Sequence, residues 1–251
     1  MLNAPQQVIR AAFLKAGYKV TRVGVPDDIS DSAFLASMRR CHAYTATSPE
    51  RMYALWQAVE HVERHGVLGD IVECGVWRGG SSMLAALATR HFADSSRRLW
   101  LFDTFEGMSD PSPHDVYKDG TPIASGWQRH ADPADHLFAY ASLEEVQRNM
   151  ANTNYPPDLI NYVRGKVEDT LAGAPIERMS ILRLDTDWYE STKLELEVLW
   201  ERLSPNGVLI IDDYGHWQGA RRAVDEFFTG RPDAPLLVRI DETGRIAVRG
   251  H

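Results

Sequence analysis

The stretch ILRLDTDWYESTKLELEVLWERLSPNGVLIIDDYG, residues 181–215, holds two short apolar runs, ILRL and VLII, and each ends in acid. Asp185 and Asp187 follow the first run, Asp212 and Asp213 the second. A segment of helical length and the turn-forming Ser204-Pro205-Asn206-Gly207 separate them. This is the pattern of a strand, a crossover helix and a parallel strand, a connection that is almost always right-handed. Both acid pairs then leave the sheet at one edge. Ligands of open α/β sheets bind there, outside the carboxyl ends of the strands, so a site built from up to four carboxylates is expected.

The upstream sequence supplies more of the same sheet. DIVEC at 70–74 is a strand pattern that runs into GVWRGGSS at 75–82 and an apolar helix over 83–91. Glycine permits a tight turn and close approach of a ligand to the backbone, and the first N–H groups of a helix favour an anion. The spacing is not the Gly-x-Gly-x-x-Gly of dinucleotide-binding enzymes. RLWLFD at 98–103 is a second buried-strand pattern, and an acid at the tip of such a strand can grip a ribose diol. A third strand over 159–163, a last helix over 219–228 and a hairpin pairing 236–240 with 245–249 follow.

Ahead of the sheet, apolar spacing predicts helices over 5–16, 31–42 and 48–65. Ser48-Pro49-Glu50 announces the last of these, with an N-cap, a proline in the first turn and an acid. Ser142 and Glu145 stand in capping-box spacing at the start of another helix. Between the second and third strands, residues 106–140 carry four prolines from 109 onward, Trp127, and His114, His130 and His136. A long irregular segment inside a compact domain reads as a lid.

A chain of 251 residues suits one large α/β domain. The expected division is an N-terminal helical extension over 1–66 and a domain over 67–251 that carries the lid. A net charge of −8 argues against a nucleic-acid partner. Two cysteines give no disulfide framework. No apolar run reaches membrane-spanning length and the first residues lack a signal peptide's core, so a cytoplasmic protein with no membrane partner is expected.

Glycines after the first strand, an acid after the second and a C-terminal hairpin together look like a class I methyltransferase: α/β, a Rossmann-like doubly wound sheet, mostly parallel with an antiparallel hairpin. More closely, DIVECGVWRGGSS, LFDTFEGM, GKVEDTL, LRLDTDWYEST and LSPNGVLIIDDYGHW resemble the macrocin O-methyltransferase family, TylF-like enzymes that methylate sugar hydroxyls of antibiotics. The resemblance covers about residues 45 to 229. It implies S-adenosylmethionine and Mg²⁺ as cofactors, a glycosylated small molecule as substrate, and a homodimer.

Carried onto this chain, the resemblance places the metal on Asp185, Asp212 and Asp213. Hard oxygen ligands suit Mg²⁺, and carboxylates so crowded need a cation to offset their repulsion. Asp185 is the first choice for the base and Asp187 the second, with a lid histidine as a helper. Glu73, Gly75, Gly79, Gly80 and Ser81 are assigned to the methionine end of the cofactor. Asp103, with Thr104 and Phe105, is assigned to the ribose, and Val167 and Glu168 to the adenine. A catechol-like or other polyol acceptor is the alternative. Tyr189 and Lys193 also match the Tyr-x-x-x-Lys pair of short-chain dehydrogenases, and a non-catalytic nucleotide-binding protein is a third reading.

Overall fold

The structure, a computed structural model, describes residues 24–93, 97–117, 119–125, 127 and 140–250. The helix expected over 5–16 lies outside these residues, as do His130 and His136. The sheet has seven strands: β1 (Asp70–Cys74), β2 (Leu99–Asp103), β3 (Ile160–Arg164), β4 (Met179–Leu184), β5 (Leu203–Ile211), β6 (Val238–Arg239) and β7 (Arg245–Val248). They lie in the order β3-β2-β1-β4-β5-β7-β6. The first five are parallel, and β7 runs antiparallel to both β5 and β6. The expected class, mostly parallel α/β with a C-terminal antiparallel hairpin, is the observed one.

The central strands are mostly apolar because both faces of the sheet are covered, with Glu73 and Arg183 as buried charges among them. Ile71, Leu99, Leu101, Ile181, Val208 and Ile210 point into one core, shared with α1 (Ser32–Cys41), α2 (Pro49–Arg64) and α3 (Gly80–Phe92). Val72, Trp100, Phe102, Leu182, Leu184, Leu209 and Ile211 point into the other, beneath α5 (Val167–Thr170), α6 (Tyr189–Leu199) and α7 (Gln218–Phe228). The N-terminal helices therefore pack into the same core as the sheet. The remaining helix, α4 (Leu143–Ala151), is capped by Ser142 Oγ, which accepts from Glu145 N–H at 3.2 Å. The hydroxyl half of the expected capping box is present, while the Glu145 carboxylate turns away to Arg78.

One expectation needs correction. Ser204-Pro205-Asn206-Gly207, read as a turn before the strand, lies within β5: Met179 pairs with Leu203, and pairing resumes at Ile181 with Val208. Pro205 lacks an N–H and Asn206 is left-handed at φ 63°, so the intervening residues bulge out of the ladder. Of the segment expected as a lid, residues 109–117 and 119–123 pack on the body, with Asp115 fully buried, its Oδ1 accepting from Tyr189 N–H at 2.8 Å and Trp188 Nε1 donating to Ser109 O at 2.8 Å.

At the carboxyl edge each strand hands its pairing one residue further. Gly75 N–H donates to Phe102 O, Asp185 N–H to Cys74 O and Asp212 N–H to Leu184 O, at 2.8 to 2.9 Å. Gly75 and the acids of residues 181–215 are thereby brought side by side. Among the described residues no helix is long and apolar enough to cross a membrane.

Candidate active site

A cavity of about 600 Å³ opens at this edge, within the usual range for small-molecule sites. Gly75, Ser81, Asp103, Thr104, Val167, Glu168, Asp185, Asp187, Asp212 and Asp213 line it. The other four residues assigned to the cofactor do not. Glu73 is buried behind the wall, where Ser81 Oγ, Ser82 Oγ and Arg183 Nη1 all donate to its carboxylate. Gly79 is the left-handed N-cap of α3, and Gly80 lets that helix abut Tyr44 and Thr45, where a Cβ would stand 2.6 Å from Tyr44 O. Phe105 is buried at φ 53°.

The glycine turn is fixed from both sides. Gly75 sits at φ 83°, and a Cβ there would overlap the carbonyl of Asp185, so only glycine lets β1 and β4 end this close. Asp103 holds the turn from the next strand. Its Oδ2 accepts from Val76 N–H at 2.7 Å and Trp77 N–H at 2.9 Å, and its Oδ1 from Phe105 N–H at 2.7 Å. Burial raises its pKa, and these N–H donors offset part of the rise. The non-glycine residues at positive φ include Trp77, Phe105 and Asp187, all beside the cavity. Backbone strain gathers at functional sites in this way.

Beside the turn stands the acid cluster. Ligand oxygens of Asp185, Asp212 and Asp213 lie within 4.8 Å of one another. Two arginines that the sequence reading missed reach in among them. Arg183 donates to Glu73, to Asp185 at 2.8 Å and to Asp212 at 2.6 Å. Arg51, from the first turn of α2, bonds Asp212 and also Asp241 on the hairpin turn. Arg183 had a visible signal, because a charge inside a fully buried strand must be paired. Arg51 had none, since its partners come from residues 161 and 190 positions away.

Two guanidinium groups, Arg51 and Arg183, do not balance Glu73, Asp185, Asp187, Asp212 and Asp213. The excess shows in the titration of the cluster. Burial, then the charge of Asp187 and Asp185, pushes Asp213 well above the usual carboxylate range. Burial and the charge of Asp185 likewise raise Asp187, which shares a hydrogen bond with Asp213 and accepts from Trp217 Nε1 at 2.7 Å. Asp213 Oδ2 is buried without a partner among the described residues. Three convergent carboxylates, an orphaned buried oxygen and unbalanced negative charge together fit a hard divalent cation.

The dehydrogenase alternative fails on geometry. Tyr189 is buried with its hydroxyl on Glu226 at 2.7 Å, and neither it nor Lys193 lines the cavity. His114 does not line it either, and packs against the Tyr189 ring. Part of the cavity is aromatic instead: Trp217 and Tyr117 line it with ring centroids 5.8 Å apart, and Trp217 packs at a tilt against buried Trp188 at 5.4 Å.

Comparison with known proteins accords with this geometry. Residues 15–247 match the family described as Macrocin-O-methyltransferase (TylF). A 4'-O-methyltransferase of Streptomyces olivaceus, acting on 8-demethyl-8-(2,3-dimethoxy-alpha-L-rhamnosyl)-tetracenomycin-C, is 38% identical, covering 80% of this chain and 74% of its own. The mycinamicin III 3''-O-methyltransferase of Micromonospora griseorubida is 32% identical over 86% of this chain and 85% of its own. Among solved structures, the O-methyltransferase NovP superposes with a TM-score of 0.72 at 33% identity, covering 83% of each chain. The calicheamicin methyltransferase CalS11 shares the fold, with a TM-score of 0.62 at 18% identity over 100% of this chain and 95% of its own. With a family match spanning nearly the whole chain and relatives above 30% identity over most of it, this protein belongs to the macrocin O-methyltransferase family and is an O-methyltransferase.

Proposed function

We propose that the protein transfers the methyl group of S-adenosylmethionine to a hydroxyl on the sugar of a glycosylated natural product, with Mg²⁺ at the acid cluster. The observation that carries this reading is that the Gly75 turn, Asp103 and the carboxylates Asp185, Asp212 and Asp213 line one cavity. The relatives named for methylating glycosylated tetracenomycin and mycinamicin support the acceptor class.

The donor lies along the turn: Gly75 and Ser81 take the methionine end, Asp103 and Thr104 the ribose, Val167 and Glu168 the adenine. Asp103 keeps acceptor capacity for the ribose hydroxyls because each carboxylate oxygen accepts more than one hydrogen bond. Asp185, Asp212 and Asp213 would hold Mg²⁺, which when bound lowers the pKa of the acceptor hydroxyl and offsets the repulsion among the carboxylates. Asp185 takes the proton. Its side chain is 28% exposed against 4% for Asp212, and Arg183 fixes its direction. Asp187, tied to Trp217 and Asp213, supports Asp213. Aligning the acceptor oxygen with the sulfonium methyl group supplies much of the rate.

The experiment is a mass-spectrometric screen with trideuteromethyl S-adenosylmethionine against rhamnosylated polyketides, macrolide and aminocoumarin glycosides, and catechols. Transfer of the label to a sugar hydroxyl is expected. Labelled catechols with no labelled glycoside would overturn the acceptor assignment.

A further inference from the structure

Beneath the floor of the cavity lies an acid that the reaction above leaves unused. Glu195 is on the inward face of α6 and is 0% exposed. Its Oε1 accepts from Thr186 Oγ1 at 3.0 Å, and its Oε2 has no partner among the described residues. Burial lifts its pKa well above the carboxylate range; the Thr186 hydrogen bond opposes the rise, and the charges of Glu168, Asp185 and Asp187 add to it. The Cys74 thiol stands beside it and shares a weak hydrogen bond with it; burial, then the charges of Glu195 and Glu73, raise the pKa of that thiol.

Stability gives no reason for an acid at this position. One hydrogen bond returns about 1 kcal/mol net, while an unsatisfied buried polar atom costs about 1–3 kcal/mol. An apolar side chain of similar volume would hold the core as well. What the carboxyl does reach is the turn after β4. Thr186 is the residue between Asp185 and Asp187, and the turn is tight, with Trp188 N–H donating to Thr186 O at 2.8 Å and Asp187 at φ 69°. Asp185 is pinned at its amide by Cys74 O and at its carboxylate by Arg183. The Thr186 side chain ties this turn to the middle of α6, while Ser191 Oγ, in the first turn of that helix, donates to Trp188 O at 3.1 Å.

We propose that Glu195 is a positioning residue: by holding Thr186 it fixes the turn that presents Asp185 and Asp187 to the cavity. This rests on the role given to Asp185 above. Its own contribution is geometric, and a neutral amide of the same shape would serve as well as the acid.

Three variants test it: Glu195→Leu, Glu195→Gln and Thr186→Val. In Glu195→Leu and Thr186→Val, hydrogen exchange of the amides of 185–188 should quicken by about tenfold. The kcat on the glycoside found by the screen should fall by about tenfold, as small misplacements of catalytic groups do. In Glu195→Leu the KM for S-adenosylmethionine should stay within about threefold, because Glu195 does not line the cavity. Glu195→Leu should melt at or above the wild-type temperature, a combination of higher stability and lower turnover that a merely structural acid would not give. Glu195→Gln should match wild type in exchange and in kcat. Wild-type exchange in Glu195→Leu, unchanged kcat despite faster exchange, or equal damage from Gln and Leu would each overturn the proposal. If wild-type protein methylates no glycoside, the functional reading has failed, and the exchange comparison still judges the link between Glu195 and the turn.

Discussion

Asp115 Oδ1 accepts the backbone N–H of Tyr189 at 2.8 Å, so a residue 74 positions upstream caps the helix that follows the turn after β4. The other oxygen of Asp115 accepts from Ser112 N–H and Oγ, both at 2.7 Å. Gly219 makes room, since a Cβ there would overlap the Asp115 carboxylate. The peg brings Ser109 and Tyr117 to the cavity wall. Asp115→Ala should cost about 1 kcal/mol as a lost N-cap and raise the acceptor KM by about tenfold while S-adenosylhomocysteine affinity holds, a split that marks loss of acceptor binding alone. Steady-state kinetics and calorimetry on the one variant check both halves.

The hairpin turn is tied to α2 through Asp241. Burial would raise the pKa of Asp241, but hydrogen bonds from Ser48 Oγ and Gly244 N–H, with the charge of Arg51, bring it down to about 2 from an ordinary 3.8. A depressed carboxylate stabilises the fold above its unfolded pKa and loses that contribution as pH falls through the folded value. Asp241→Asn should therefore cost about 2 kcal/mol at pH 7. The gap from wild type should close between about pH 4 and pH 2. Urea melts across that range measure it.

Gly75→Ala places a Cβ against the Asp185 carbonyl in a conformation that L residues rarely adopt. Loss of S-adenosylhomocysteine binding and of turnover is expected, with a drop in melting temperature. A variant that binds like wild type would show that the two strand ends can separate without harm to the site.

Much of this was legible in the sequence because the pattern is local. ILRL and VLII are apolar at every position but Arg183, since helices cover both faces of their strands, and the first acid of each pair sits one residue past the end of its strand. The part that stayed hidden depends on contacts across the fold. Glu73 reads like a cofactor ligand at the head of a glycine loop, yet its side chain points inward to Ser81, Ser82 and Arg183, a direction set by strand alternation and by the burial of Arg183. Arg51 and Asp115 show no local motif because their partners lie on other elements. The bulge at Pro205 and Asn206 was hidden for a different reason: a turn sequence reads alike whether it precedes a strand or interrupts one.

Removal of divalent metal with EDTA should abolish turnover, and Mg²⁺ should restore it. Asp213→Asn should weaken Mn²⁺ binding, followed by electron paramagnetic resonance, by about tenfold or more, because it alters the carboxylate whose buried oxygen lacks a partner. Full activity in EDTA would remove the cation from the reaction.

The most direct measurement is calorimetric titration of S-adenosylhomocysteine into wild type and into Asp185→Asn. The expected result is saturable binding to both, with dissociation constants within about threefold of each other, because the proposed donor contacts at Gly75 and Asp103 do not use the Asp185 carboxylate, which Arg183 holds. Absence of S-adenosylhomocysteine binding to wild type, or binding of NADPH in its place, would contradict a methyl-donor site in this cavity.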